Sequence, residues 1–255
     1  MIDIVINGAL GRMAREVAAA VRETDDIRVS GAVDSPACAG EEIFPGGPVA
    51  AGDISDLLDA AGCVVDFSAP EAAASCLEAC AASGVPFISG TTGMTGQQLA
   101  RASELSSRIP VMISPNMSAG VNLMFRLAEE VARALPDFAV EISEIHHDRK
   151  KDAPSGTAAR LAESIMKVRD GARQVYGRSG MTGARSPEEI GMHSLRGGDV
   201  TGEHTVVFAG RGERLELTHR AHSRRTFAMG TLRAIRFIAG RDPGMYSMAD
   251  VLDLR

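Results

Sequence analysis

Short apolar strands alternate with helices through the first half of this chain, and no other feature restricts its fold as strongly. The helical segment "PEAAASCLEACAAS", for example, separates two buried strand patterns, "CVVDFS" and "VPFISG". Strands are predicted at residues 2–6, 27–34, 63–68, 85–90 and 110–116. Strands separated by helices at this spacing form a parallel sheet with helices on both faces. The sequence therefore predicts an α/β protein whose amino-terminal domain is a Rossmann-like parallel sheet.

The pattern changes after the last of these strands. A long amphipathic helix at 120–135 precedes β-rich segments that contain one strong helix, at 157–168. These segments predict a second α/β domain with a mixed, open sheet. The helical pattern at 226–240 could return to the first domain, and the Gly-rich segment 171–189 is predicted to be a mobile loop. We expect a first domain of residues 1–117 completed by 226–255, and a second domain of residues 118–225.

A glycine turn, "NGALGRMA", lies between the first strand and the helix that follows it. Gly8 and Gly11 let the backbone N–H groups approach a pyrophosphate at the positive end of the helix. Asp34 ends the second strand, where a carboxylate can bind the hydroxyl groups of a ribose. An ordinary βα turn is the alternative, because the spacing is not that of the usual dinucleotide fingerprint. The strand, turn, helix, strand and acid in this order favour dinucleotide binding.

Charge and cysteine content exclude several classes of partner. The formal net charge of −6 over 255 residues argues against a general nucleic-acid or membrane-surface binder. The four cysteines form no Cys-x-x-Cys pair, so we expect neither a disulfide nor a metal site. Reduced thiols and the lack of a signal peptide or spanning segment predict a cytoplasmic protein.

The segment "HHDRKKDAPSGTA", residues 146–158, carries two adjacent histidines and several charges of both signs. Adjacent histidines on a regular strand point to opposite faces, so they cannot chelate one metal ion. A solvated charged turn is the plain interpretation of such a run. A histidine with a pKa near ~6.5 can, however, give or take a proton near neutral pH.

The residues that follow favour an anion site over a solvated turn. Ser155, Gly156 and Thr157 stand at a predicted helix start, where backbone N–H groups, two hydroxyls and the helix dipole favour a carboxylate or phosphate. Lys150 and Lys151 add positive charge nearby. The segment thus offers an anion cradle, a cation and an acid/base group.

The longer string "EISEIHHDRKKDAPSGTA" resembles the signature of the 4-hydroxy-tetrahydrodipicolinate reductase family, also called dihydrodipicolinate reductase. The resemblance extends over essentially the whole chain. It includes "GALGRM", "VVDFSAPEA", "SGTTG", "SPNMSAGVN", "GMHSLRGGDVTGEHTVVFAG" and "GERLELTHRAHSRRTFAMGTLRA". One departure is Ala14, where the family often has glycine, and alanine is small enough for the same close packing.

This resemblance implies an activity and an assembly. The family uses NADH or NADPH to reduce 4-hydroxy-tetrahydrodipicolinate to tetrahydrodipicolinate with loss of water, in diaminopimelate and lysine biosynthesis. The first domain would bind the dinucleotide, and the second would bind the dicarboxylate substrate and form a homotetramer through its sheet.

The resemblance also implies site residues. His146 would be the acid/base group and Lys150 the proton donor. The substrate would contact His147, Ser155, Gly156, Thr157 and, from the hinge, Arg224. The cofactor would contact the glycine turn, Asp34 and two later loops: Gly8, Ala9, Leu10, Gly11, Arg12, Met13, Asp34, Gly90, Thr91, Thr92, Ser114, Pro115, Asn116 and Met117. NADH is expected to be preferred, because Ser35 stands where many NADPH-using members have an arginine.

Two other functions remain compatible with the first domain. Another two-domain dehydrogenase, acting on an amino acid or a sugar, would share the Rossmann half but lack the Ser-Gly-Thr cradle behind paired histidines. A non-catalytic NAD-sensing regulator would need the glycine turn but neither His146 nor Lys150.

Overall fold

The computed structural model describes residues 1–254, which divide into two compact units. One unit contains Met1–Ala119 and the segment from Arg224 onward, and the other contains Gly120–Ser223. No helix among the described residues is both long enough and apolar enough to span a bilayer.

Seven strands form the sheet of the first unit, and all of their pairings are parallel. The strands are β1 (Ile2–Asn7), β2 (Ile27–Val33), β3 (Ala50–Ala51), β4 (Cys63–Asp66), β5 (Phe87–Ser89), β6 (Pro110–Ile113) and β12 (Gly244–Tyr246). Their order in the sheet is β12-β6-β5-β4-β1-β2-β3. The helices are α1 (Arg12–Val21), α2 (Pro70–Ser83), α3 (Gly96–Leu105), α6 (Arg225–Ile238) and α7 (Met248–Val251).

Strand β1 shows how the sequence produces two helical layers around this sheet. Its side chains alternate between faces, and both faces are buried. Ile4 joins a core cluster with Val17 of α1 and Leu232 of α6. Val5 joins a second cluster with Leu77 of α2. A strand buried on both faces reads as a continuous apolar run, as "IDIVI" does, and this confirms the predicted parallel sheet.

The second unit contains a five-stranded mixed sheet. The strands are β7 (Ala139–His146), β8 (Arg173–Tyr176), β9 (Glu189–Arg196), β10 (Gly202–Ala209) and β11 (Arg214–Ala221). Their order is β11-β10-β7-β9-β8, and β10 is antiparallel to both of its neighbours, whereas β7, β9 and β8 run parallel. The helices are α4 (Ala119–Ala134) and α5 (Gly156–Met166). The mixed sheet of the second domain is therefore confirmed.

Strand β7 is amphipathic, and its inner face carries the side chains that matter for the site. Val140 and Ile142 are fully buried against Leu161 of α5 and Phe208 of β10. The next inward position along the strand is Glu144, which is 2% exposed. A carboxylate thus occupies a place where the alternation calls for an apolar side chain.

The segment 171–189, predicted to be a mobile loop, contains the edge strand β8. Its four residues, "RQVY", include a single β-branched residue and no apolar alternation. These residues form a strand because they pair with β9, and the sequence alone does not reveal that pairing.

Candidate active site

The glycine turn opens onto a cleft of about 790 Å³ at the carboxyl edge of the first sheet. Gly8 adopts a φ of +73°, and a Cβ atom there would lie 2.7 Å from the carbonyl oxygen of Phe67. Only glycine therefore fits between the turn and the loop after β4. Helix α1 begins at Arg12 without a side-chain cap, so its first N–H groups remain for a ligand.

Asp34 links the end of β2 to this turn. One carboxylate oxygen accepts the Leu10 N–H at 2.8 Å, and the other accepts the Ser35 N–H at 2.8 Å. Each oxygen keeps a further lone pair, and Asp34 lines the cleft. The donors of the turn and this acceptor fit the pyrophosphate and the ribose of a dinucleotide.

Asp66, at the end of β4, holds three neighbouring loops together, a role that the sequence did not indicate. It is completely buried. Its carboxylate accepts hydrogen bonds from Asn7 Nδ2 at 2.8 Å, Ser89 Oγ at 2.6 Å and Thr91 Oγ1 at 2.7 Å. The loops after β1, β4 and β5 therefore share one anchor, which sets the position of Thr91.

The other loops predicted to contact the cofactor follow β5 and β6 at the same edge of the sheet. Ser114 Oγ donates to the carbonyl of Asn116 at 2.8 Å, which closes the loop after β6. A Cβ atom at Gly90 would overlap the ring of Phe67. Residues 90–92 and 114–117 do not line the 790 Å³ cleft, which extends along β1, β2 and α2.

Replacement of Gly8 with alanine is expected to destabilise the protein by about 1–3 kcal/mol, because the residue would be forced into a left-handed conformation. Cofactor affinity should fall as well, since the added methyl group displaces the turn. Gly96→Ala is the matched control, because Gly96 has open space around its Cα. Denaturant unfolding and cofactor titration of both variants test this, and a Gly8→Ala protein indistinguishable from the control would contradict it.

In the second unit, the carboxylate of Glu144 is the centre of a buried polar cluster. It accepts hydrogen bonds from His146 Nδ1 at 2.6 Å and from Arg196 Nη1 and Nη2 at 2.8 and 2.9 Å. It also accepts the Ser155 N–H at 3.1 Å. Burial works to raise the pKa of Glu144, but hydrogen bonds from Arg196, His146 and Ser194 outweigh it and hold the pKa below its usual value.

His146 ends β7, and most of its side chain is buried. Burial lowers the pKa of His146 below its ordinary value, against the opposing effect of Glu144. Its ring contacts His204 edge to face, with centroids 5.2 Å apart. The pKa of His204 falls to about 3 because the ring is buried, so His204 is neutral at physiological pH.

The predicted anion cradle, formed by Ser155, Gly156 and Thr157, contacts the same cluster. Ser155 caps α5 by accepting the Ala158 N–H at 3.2 Å, and its hydroxyl lies 2.9 Å from His204 Nε2. Gly156 and Thr157 are the first two residues of the helix, so their N–H groups point out of its positive end, where the helix dipole favours an anion. The Ala153–Pro154 peptide bond just before the cap is cis.

Lys150 forms a two-point ion pair with Asp152, with Nζ 2.8 and 2.9 Å from the two carboxylate oxygens. The carbonyl of Asp152 in turn accepts Arg196 Nη2 at 2.6 Å. His147 donates its N–H to Val200 at 2.8 Å, and its buried Nδ1 has no partner among the described residues. Lys150, His146 and the start of α5 thus belong to one connected cluster.

Models of a known family match both halves of the chain. The description "Dihydrodipicolinate reductase, N-terminus" matches residues 2–117, and "Dihydrodipicolinate reductase, C-terminus" matches residues 120–252. The chain belongs to the dihydrodipicolinate reductase family.

Curated relatives and a solved structure of this family align with the whole chain. The 4-hydroxy-tetrahydrodipicolinate reductase of Anaeromyxobacter sp. (strain Fw109-5) is 48% identical over 265 residues, covering 100% of this chain and 99% of the relative. That of Syntrophotalea carbinolica is 45% identical over 267 residues, covering 100% of both. A dipicolinate-bound dihydrodipicolinate reductase from Paenisporosarcina sp. TG-14 is 25% identical with a TM-score of 0.82, over 98% of each chain.

The family signature indicates His146 and Lys150 but not the groups that hold them. Glu144, Arg196 and His204 were not proposed. A glutamate at an inward position of an amphipathic strand was a signal that could have revealed the first of these. Arg224, predicted to contact the substrate from the hinge, precedes α6 in the first unit, and its role stays a prediction.

Proposed function

We propose that this chain catalyses the NADH- or NADPH-dependent reduction of 4-hydroxy-tetrahydrodipicolinate to tetrahydrodipicolinate, with loss of water, in diaminopimelate and lysine biosynthesis. The observation that carries the proposal is the cluster around Glu144, which joins an acid/base histidine, a lysine and a helix N-terminus. A dehydrogenase that binds no dicarboxylate has no need of this combination. Relatives named for the reaction over their full length support the same assignment.

His146 and Lys150 are the catalytic residues of this proposal. With its pKa lowered by burial, His146 is neutral near pH 7 and exchanges a proton through Nε2. Lys150 has three N–H donors, and Asp152 holds its ammonium group beside the cluster. It donates a proton as the substrate ring accepts the hydride, so that negative charge does not accumulate on the ring.

The two carboxylates of the substrate explain the polar groups at the start of α5. The N–H groups of Gly156 and Thr157 and the Thr157 hydroxyl bind one carboxylate, supported by the helix dipole. Ser155 holds this helix start in place through its cap, and His147 supplies a further polar contact. Because the cradle is anchored to Glu144, the substrate is oriented relative to His146 by the same carboxylate.

The first unit would hold the dinucleotide. The turn from Gly8 to Met13 would bind the pyrophosphate and Asp34 the ribose, while residues 90–92 and 114–117 would contact the rest of the cofactor. When bound, the nicotinamide ring supplies the hydride for the reduction. The residues of the chain bind and orient it, and the fit of Gly8 against Phe67 keeps the turn close enough to do so.

Reductase activity is tested with substrate generated enzymatically in the assay and with the loss of NADH absorbance as the signal. NADH oxidation should require both the protein and the substrate, and a planar pyridine dicarboxylate should inhibit it. NADH oxidation with an amino acid or a sugar instead would favour the rival dehydrogenase. Cofactor binding without turnover of any substrate would favour the non-catalytic regulator.

We infer that NADH is preferred and that NADPH is used more weakly. Asp34 lines the cleft, where a 2′-phosphate would meet its negative charge with a repulsion on the order of a few kcal/mol before screening. Ser35 is exposed and offers only a hydroxyl to that phosphate. Ser35→Arg should therefore raise kcat/KM for NADPH relative to NADH, measured at one ionic strength.

Ser30→Arg is the control for the added charge, because Ser30 is an exposed residue of β2 outside the cleft. It should leave the ratio of the two cofactors unchanged. A wild-type preference for NADPH, or a Ser35→Arg protein that gains nothing with NADPH, would refute the inference.

A cytoplasmic homotetramer assembled through the second sheet remains part of the proposed function. Leu195 supports this assembly, because it is an apolar residue that is 51% exposed. It pairs in register with Ile145, the neighbour of Glu144 on β7, and therefore lies on the sheet face opposite Glu144. Light scattering of the purified protein measures the mass directly, and a monomer at micromolar concentration would contradict the assembly.

A further inference from the structure

The position of Glu144 is unusual for a carboxylate. It follows Val140 and Ile142 on the inner face of β7 and is 2% exposed. A buried carboxylate costs several kcal/mol unless it is paired and hydrogen-bonded. Its partners therefore determine what Glu144 contributes.

The hydrogen bonds of Glu144 come from three separate parts of the second unit. One oxygen accepts His146 Nδ1 and Arg196 Nη1, and the other accepts Arg196 Nη2 and the Ser155 N–H. The strand that ends in His146, the end of β9 and the cap of α5 therefore meet at a single group.

An ionised carboxylate only accepts hydrogen bonds, which determines where the proton of His146 sits. At 2.6 Å from Glu144 Oε2, Nδ1 must carry a hydrogen. In the neutral ring, Nε2 is then left without a proton. A Cβ atom at Gly202 would lie 2.9 Å from Nε2, so any larger residue at that position would crowd this edge of the ring.

Burial of the ring is the main reason why the adjacent carboxylate does not convert His146 into a cation, and Arg196 adds to this effect. Its two-point pair with Glu144 offsets the charge that His146 would otherwise meet. The other groups facing His146 are Lys150, a cation, and His204 of β10, which is neutral. Burial then dominates and lowers the pKa of His146, so the ring is uncharged near pH 7.

We propose that Glu144 is a positioning residue for the reduction, which fixes the Nδ1–H tautomer of His146, directs its unprotonated Nε2 to the substrate, and anchors the carboxylate cradle to the same group. The proposal rests on the proposed acid/base role of His146. Glu144 itself touches neither substrate nor cofactor in this account and acts through His146 and Ser155.

Glu144→Gln is the informative substitution, because the amide keeps the shape but can donate as well as accept. Nitrogen NMR of the imidazole rings, with His146 assigned through His146→Gln, should show Nδ1–H in the wild-type protein and a mixture of tautomers in the variant. Loss of the carboxylate removes an influence that raises the pKa of His146. The limb of the pH–rate profile that follows His146 should therefore move to lower pH, with kcat reduced about 10- to 100-fold.

Glu141→Gln is the matched control. Glu141 lies on the same strand, faces the opposite side of the sheet, and also binds a histidine and an arginine, His193 and Arg178. This variant should leave both the tautomer of His146 and the pH–rate profile unchanged. A purely structural role for Glu144 would lower stability without moving either.

Two results would overturn the proposal: an Nε2–H tautomer in the wild-type protein, or a Glu144→Gln variant that keeps the wild-type tautomer and kcat. If that variant does not fold, the wild-type tautomer alone decides. The expected tautomers in a protein that reduces no substrate would instead refute the proposed function, because the spectra do not depend on turnover.

Discussion

His146→Gln is expected to lower kcat by about 10²- to 10⁴-fold, the usual effect of losing a general acid or base. The imidazole has an ordinary pKa near neutrality, and burial lowers that pKa further. Lys150→Ala should have an effect of the same order. Among the described residues, no other ammonium group is paired with Asp152, so none is in place to donate the proton instead. Cofactor affinity should remain near normal in both variants, since the turn and Asp34 lie in the other unit.

Steady-state kinetics and cofactor titration separate these effects. His193→Gln and Lys167→Ala are controls of the same residue types, with His193 on the opposite sheet face and Lys167 exposed at the end of α5. Both should retain wild-type kcat. If His146→Gln or Lys150→Ala keeps more than about half of the wild-type kcat, the role assigned to that residue is wrong.

Arg196→Met is expected to destabilise the protein by about 3–5 kcal/mol, because it leaves the carboxylate of Glu144 buried without its main partner. The side chain of Glu144 is 1% exposed, so water cannot replace the two lost hydrogen bonds. Arg160→Met provides the comparison, since its ion pair with Glu163 is solvent-exposed and should contribute no more than about 1 kcal/mol. Denaturant unfolding of the three proteins measures the difference.

The loss of stability caused by Arg196→Met should become smaller as the pH falls. The pKa of Glu144 is lowered in the folded protein, so the stability it contributes is present at neutral pH and disappears as pH falls through that pKa. In the variant the carboxylate is protonated more readily, which relieves the buried charge. The unfolding free energies of the wild-type protein and of Arg196→Met should therefore converge at acidic pH. A difference that stays constant across the pH range would contradict an explanation based on the charge of Glu144.

The parallel sheet was predictable because its signal is local. Strands buried on both faces appear as short apolar runs, and the segment predicted as the helix after β4 coincides with α2, Pro70–Ser83. The strands β3 and β12 were not predicted, because "AA" and "GMY" are too short to form a pattern. They become strands by pairing with β2 and β6.

The site was only partly predictable, for a related reason. His146, Lys150 and Ser155 lie within one continuous segment, so their association could be seen in the sequence. Arg196 lies in another strand and reaches Glu144 only because β9 pairs with β7, which places Arg196 opposite His146 in register. Contacts of this kind depend on strand pairing, and a single sequence does not show which strands pair.

Deuterium labelling follows hydride transfer from NADH to the substrate directly. The protein is incubated with enzymatically generated 4-hydroxy-tetrahydrodipicolinate and NADH that carries deuterium at both C4 positions of the nicotinamide ring, and the product is analysed by mass spectrometry. Tetrahydrodipicolinate should gain one deuterium for each NADH oxidised, and His146→Gln should slow this transfer. Oxidation of the cofactor without deuterium in the product, or no oxidation that depends on the substrate, would contradict the proposed reaction.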